Sequence, residues 1–398
     1  MAEYTNREHY IPLRHSDLIE LLCTDLGAER ERAQSLRQFN ALLSATFHYE
    51  YYRLLDELKN EYAPFDPDAA TLPIKQYTPD ERTRRLDDLH KRFVFLMERA
   101  NFKRLTLDEV KEATKEVTEW GLNMDVDFSL FERLDVFIRG DALGTRYIKR
   151  WWQLWSKTAL QIPSYQRVVL FVKMKPSKRL PEEVDTEDVF LKIFKDIPKL
   201  DLEMLLPGAR MQMPFFHRAK LGGSLVGSGA WLLYSMIGQL WELASTFGVT
   251  MVFGPLTALL GFGYKQWYGY QNTKTVFSLR LTQSLYYQTL GTNLSVLFHL
   301  LDEAEEQECR EALLAYYYLW RYAGDKGWDA KSLDDYVEMD LERLANLKVD
   351  FEIDDALGKL ERLQLVTKVA DRYVAVPMAQ ALAAMDHAWD NYFKYNTR

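Results

Sequence analysis

Three carboxylates lie within eight residues in Asp196-Ile197-Pro198-Lys199-Leu200-Asp201-Leu202-Glu203, just ahead of Leu206-Pro207-Gly208. Carboxylates at this density suit a hard divalent cation, and paired carboxylates suit acid–base work. Such a run more often caps a helix and pairs with nearby cations, and Lys199, Arg210 and Arg218 are at hand. Asp196, Asp201 and Glu203 are therefore a candidate polar cluster, not an assigned catalytic set. Other chemistry is not signposted. There is no GxxxxGK[ST] loop and no GxSxG elbow, and Gly261-Phe262-Gly263 lacks the third glycine of a dinucleotide fingerprint. None of the seven histidines falls in an HExxH pattern, and Cys23 and Cys309 are too few and too far apart for a zinc site or disulfide framework. His48 and Glu50 share an aromatic helix, where a satisfied interface histidine is the commoner case. No catalytic residue, metal site or cofactor is expected.

The elements that must position these residues are unevenly charged. Residues 221–264 hold one charged side chain, Glu242, and nine of the chain's 19 glycines. Glu242 divides them into two halves, each long enough as a helix for roughly 30 Å of hydrocarbon. Gly223 and Gly227 form a GxxxG pair that Gly229 extends, so two such helices would pack closely. Arg210, Arg218 and Lys220 precede the segment, and Lys265, Lys274 and Arg280 follow it. The expectation is a transmembrane or re-entrant helical hairpin with both ends on the cytoplasmic or matrix side. A buried hairpin in a soluble protein is the alternative.

A basic block precedes it. Residues 139–220 carry 16 Lys/Arg and nine Asp/Glu, a net of +7, which leaves −15 for the rest of a chain whose total is −8. Arg146, Lys149, Arg150, Trp151, Trp152 and Trp155 mix cations with indoles, as interfacial segments do. The expected partner is a lipid bilayer with anionic headgroups. The same mixture could grip single-stranded nucleic acid by stacking, or be a half-buried helix with snorkelling cations.

Along the chain, residues 40–62 read as a long amphipathic helix ending at Ala63-Pro64. Capping boxes at Thr78-Pro79-Asp80-Glu81 and Thr106-Leu107-Asp108-Glu109 open two more. Residues 134–139 and 165–173 read as strands; residues 187–194 are a short helix or strand. Residues 273–322 read as helix broken near Gly291, with the acid-rich stretch 302–311 as a solvated face. Helix, helix, hairpin and helix then follow from Ser332, an order like a winged-helix module. Its second helix carries Asp350, Glu352, Asp354, Asp355, Lys359, Glu361 and Arg362, which repels phosphate, so nucleic acid is disfavoured.

The fold class expected is mostly α with a small α+β region, a helical membrane hairpin and a C-terminal winged-helix-like module. The divisions are a helical region 1–125, a basic α+β region 126–220, the hairpin 221–264, a helical connector 265–325 and the module 326–398. Over 398 residues, 27% charged residues exclude disorder and a polytopic membrane protein. The aromatic content of 14% is partly accounted for by clusters at Trp151–Trp155 and at Trp267, Tyr268 and Tyr270.

Several stretches together resemble one family. They are Arg7-Glu8-His9-Tyr10-Ile11-Pro12-Leu13-Arg14, His48-Tyr49-Glu50, Tyr62-Ala63-Pro64-Phe65-Asp66-Pro67-Asp68, the run from Phe194 through Lys195-Asp196-Ile197-Pro198 to Pro207-Gly208, and Asp350-Phe351-Glu352-Ile353-Asp354-Asp355. The chain resembles the family of transmembrane protein 143, a domain of unknown function (3754). The resemblance implies two adjacent hydrophobic segments and no assigned reaction or catalytic residue. With the polar start Met1-Ala2-Glu3-Tyr4, it implies a bacterial inner membrane, both termini cytoplasmic, with a mitochondrial membrane as the alternative. The function expected is a membrane-anchored interaction or scaffold protein of unknown partner, with a homo-oligomer as one option. The alternatives are a membrane-bound enzyme using Asp196, Asp201 and Glu203, and nucleic-acid binding through the C-terminal module.

Overall fold

The computed structural model describes residues 9–71, 74, 77–113, 123–148, 158–177, 185–212, 261, 264–265, 268, 285–351 and 353–393. Helices α1 (His15–Asp25), α2 (Arg30–Tyr62), α3 (Pro79–Arg99) and α4 (Leu107–Ala113) come first. Strand β1 (Lys103–Leu105) lies between α3 and α4, and after α4 come β2 (Asn123–Asp125), β3 (Phe131–Ile148), β4 (Thr158–Met174), β5 (Val189–Pro198), β6 (Arg210–Gln212) and β7 (Thr289–Thr292). The chain then runs through α5 (Leu294–Tyr318), α6 (Ala330–Ala345), α7 (Ile353–Arg362), the hairpin β8 (Val366–Val369) and β9 (Arg372–Ala375), and α8 (Met378–Asp390).

Both capping boxes form. Thr78 Oγ1 accepts from the Glu81 amide while Glu81 accepts from the Thr78 amide, and Thr106 and Glu109 do the same at α4. Asp329, rather than Ser332, caps α6, by accepting from the Ser332 amide at 2.9 Å.

The expected fold class is corrected by the sheet. Five antiparallel strands in the order β1-β3-β4-β5-β7 stand at the centre, so the molecule is helices on a sheet and not a mostly α chain. Alternation divides the sheet's residues between two cores. Phe137, Val169, Phe171, Leu191 and Ile193 face the core shared with α1, α2, α3, α5 and the C-terminal elements. Val136, Val168, Leu170, Val172 and Phe194 face a smaller core closed by Leu130, Leu202, Leu205 and Leu206.

The strands are also longer than the sequence pattern suggests. β3 and β4 stay in register from Arg133↔Lys173 to Ile148↔Thr158. The apolar alternation stops near Arg139, where Gly140 takes φ +73 and a Cβ would lie 2.6 Å from the Gln166 side chain. Backbone pairing carries the strand past that point. Arg146 accordingly lies on β3. The uncertain stretch 187–194 is strand β5, and the break near Gly291 is strand β7.

The membrane hairpin is corrected too. No helix among the described residues is long and apolar enough to cross a membrane. Of residues 221–264 only Gly261 and Tyr264 are described, both helical and exposed; Gly223, Gly227 and Gly229 lie outside the described residues. In the C-terminal region, the helix that would enter a nucleic-acid groove is α7. It buries Ile353, Ala356, Leu357, Lys359 and Leu360 and packs on α5.

Phe93 of α3 joins the helices to the sheet, fully buried with its ring 5.8 Å from Phe137 and 5.3 Å from Phe171. Phe93→Ala should cost about 3–5 kcal/mol in urea unfolding with an unchanged denaturant slope. A loss under about 1 kcal/mol would mean that this helix–sheet contact does not carry the core.

Candidate functional site

The Asp196 run is built into the sheet's second core. Ile197, Leu202, Leu205 and Leu206 are buried there, and residues 199–205 form a 3-10 turn. Asp196 itself is exposed, in the left-handed region at φ +53, and its carbonyl accepts from Gln288 Nε2 at 2.9 Å. Asp201 is half-buried and Glu203 is buried. No group of three or more His, Cys, Asp or Glu among the described residues is placed to hold a metal ion. Arg146 pairs with Leu160 across β3 and β4; Lys149, Arg150, Trp151, Trp152 and Trp155 lie outside the described residues, in the connection between those strands.

Titratable groups converge elsewhere, along α5. From Gln307 to Tyr318 this helix is buried on all sides, and Gln307, Glu308, Arg310 and Glu311 are each at most 2% exposed. The stretch read from sequence as a solvated face is therefore split: Asp302 and Glu306 are exposed, whereas Glu308, Arg310 and Glu311 are interior and meet partners from other elements. Glu308 receives the Arg99 guanidinium of α3 (Nη2–Oε2 2.6 Å) and the Lys359 ammonium of α7 at 3.1 Å. Lys359 also pairs with Asp355. One helical turn earlier, Glu303 accepts from Arg139 at 2.7 Å and Arg167 at 3.3 Å, both from the sheet, and faces His299 at 3.3 Å. The Arg139 guanidinium lies between the rings of Tyr10 (4.1 Å) and Phe102 (4.5 Å).

Burial and partners push these groups apart. For Glu303, burial acts upward, but the His299 hydrogen bond and the Arg139 and Arg167 charges outweigh it and hold the carboxyl at about 2. For Glu311, burial dominates and the Glu308 charge adds to it. Lys359 and the amides of Gln307 and Asn101 only partly offset this, so the carboxyl is pushed up to about 8. Two carboxylates separated in this way could divide acid and base roles, but both sit in packed interior.

Nearby groups are no better placed for reaction. Cys309 Sγ lies 3.4 Å from Ser44 Oγ and 3.9 Å from His15 Nε2, a nucleophile–base pattern by residue type. Burial pushes its thiol up to about 12 and pushes the His15 imidazole down, the opposite of an activated pair. A cavity of about 600 Å³ between α1 and α2 is lined by Glu20, Cys23 and Arg37, among others, and there Arg37 is already held bidentate by Glu20 at 3.0 and 2.8 Å.

Beyond α5, Leu319–Ala323 form a π-turn, which lets Tyr317 and Tyr322 both donate to Asp25 (2.7 and 2.5 Å). Tyr318 donates to Asp340 at 2.7 Å, and Arg343 donates to the same carboxylate at 2.6 Å. Tyr317 and Tyr318 are buried in this cluster, and Tyr322 lies at its exposed edge.

Glu311 gives a signed prediction. Its folded value near 8 stands above the ordinary 4.5, so the stability it contributes is full below pH 4.5 and lost as pH rises towards 8. Glu311→Gln should therefore be more stable than wild type at pH 8, with an advantage growing by on the order of 1 kcal/mol per pH unit across that window. Thermal melts from pH 5 to about 9 check this; parallel curves for the two proteins would contradict it.

Comparison with known proteins adds a class but no activity. Residues 165–295, about a third of the chain, match the family model described as a protein of unknown function, DUF3754. No solved structure matches the chain. The matched region includes most of β4, β5, the 3-10 turn and β7, that is, one side of the sheet and part of its smaller core.

Proposed function

We propose that this chain is a non-catalytic interaction protein that makes a peripheral contact with anionic lipid headgroups through the connection between β3 and β4. The observation that carries this reading is the ribbon. β5 pairs with β4 only from Ser164 onward, and β1 pairs with β3 only at residues 136–138. Residues 143–148 and 158–163 thus pair only with each other among the described residues, over roughly 20 Å of strand. A two-stranded ribbon has little independent stability in water. Its connection reads Lys149-Arg150-Trp151-Trp152-Gln153-Leu154-Trp155-Ser156-Lys157, three cations and three indoles without an acidic residue. Cations near an anionic leaflet gain about 1 kcal/mol each, and indoles favour the interface. Such a contact needs no membrane-spanning helix.

The packing of α7 on α5 and its acidic side chains speak against nucleic-acid readout by that helix. Kinship with the transmembrane protein 143 family belongs to the same proposal; its support is that the run from Phe194 to Gly208 falls inside the DUF3754 match.

Vesicle co-sedimentation tests the reading. The protein should pellet with phosphatidylglycerol vesicles and not with phosphatidylcholine alone, with binding that weakens as salt rises. Charge reversal of Lys149, Arg150 and Lys157 should weaken it by about a hundredfold or more. Equal pelleting with neutral vesicles, or an unaffected triple variant, would overturn it.

A further inference from the structure

The segment His9–Leu13 has no helix or strand of its own, yet Ile11 is fully buried. Its backbone is bonded by side chains from α5 and from the turn after α3. The His9 carbonyl accepts from Asn101 Nδ2 at 2.8 Å and from Gln307 Nε2 at 3.2 Å. The Ile11 amide donates to Gln307 Oε1 at 3.2 Å, and the Ile11 carbonyl accepts from Arg310 Nη1 at 2.6 Å. The same two amides that hold His9 also donate to one oxygen of Glu311, Gln307 at 2.7 Å and Asn101 at 3.2 Å. Strap and carboxylate thus share their donors.

We propose that this segment is a latch whose closure depends on Glu311 being protonated: it seals the carboxylate from water, and ionisation of Glu311 opens it. The charged and titratable groups around Glu311 come from four elements. They are Glu308 on α5, Lys359 and Asp355 on α7, Arg99 on α3, and Tyr51 on α2. Lys359 and Arg99 are already engaged by Glu308 and Asp355. A second negative charge beside Glu308 therefore has no cation of its own and must be solvated. The strap lacks a repeating ladder and depends on the two amides that also donate to Glu311, so it is the element an ionised Glu311 would disturb by drawing them to itself. Burial that holds the carboxyl near 8 puts this event within reach of ordinary alkaline conditions. His9, 3.6 Å from Asp350 across the outside of the strap, is the competing trigger.

The Ile11 amide reports on the latch, since it is bonded to Gln307. In native-state hydrogen exchange of the full chain, its protection, corrected for intrinsic exchange, should be constant below pH 4.5, fall about tenfold per pH unit as pH rises towards 8, and level off above it. Amides in the middle of α5 should keep their protection over the same range. Glu311→Gln should remove the pH dependence, and His9→Gln, an exposed and structurally mild change, should leave the midpoint in place. If Glu311→Gln does not fold, the wild-type and His9→Gln profiles decide alone. A midpoint that moves with His9→Gln, an Ile11 protection that is flat with pH, or α5 amides that lose protection in parallel would each overturn the latch.

Discussion

The structure depends on α5 carrying charge into the interior. A helix with Glu303, Gln307, Glu308, Arg310 and Glu311 inside can be buried only if each polar group meets a partner. The partners are Arg99 on α3, Arg139 and Arg167 on the sheet, Lys359 on α7 and the backbone of the strap. The ion pairs therefore fix where the other layers sit relative to α5. Burying a matched pair gains little over an apolar substitute, whereas breaking one strands a charge at a cost of roughly 3–5 kcal/mol. Such a network contributes more to specifying a single arrangement of layers than to net stability.

The apolar packing is arranged around that constraint. One core extends from Ile11 through α2, α3, one sheet face and α5 to Met385. The tyrosines at the end of α5 continue it, with Tyr316 stacked on Phe39 at 4.2 Å and bonded to the Val376 carbonyl at 2.9 Å. Beneath the other sheet face, the run after Asp196 supplies the leucines of the smaller core. Its carboxylates are the polar interruptions of a structural segment. The ribbon of β3 and β4 is the part of the sheet that neither β1 nor β5 pairs with among the described residues, which is why it carries the functional proposal.

What was legible in the sequence followed from local chemistry. Thr78–Glu81 and Thr106–Glu109 cap helices because a cap needs only four residues, and the order of helices and hairpin after Ser332 follows from periodicity and from turns such as Asp371-Arg372. At Gly327, φ +61 and the close approach of the Tyr373 carbonyl leave no room for a side chain. What was not legible depended on distant partners. The acid-rich stretch of α5 looks solvated until Arg99, more than 200 residues away, is placed against Glu308. A better signal lay just downstream, where Ala312-Leu313-Leu314-Ala315-Tyr316-Tyr317-Tyr318-Leu319 has no polar face and marks a helix buried all round. The length of β3 and β4 was hidden by Gly140, Gly144 and Pro163, which interrupt alternation without interrupting pairing. The low charge of residues 221–264 suggested a membrane hairpin, and among the described residues no helix has the length and apolarity to span one.

The most direct test of this account is the titration of the Glu311 side-chain carboxyl, followed by carbon-13 NMR in the folded protein. A matched but crowded buried network predicts a midpoint near 8, well above the ordinary 4.5. A midpoint near 4.5 would mean that water reaches the carboxylate freely, and the view of α5 as a buried charged axis would be wrong.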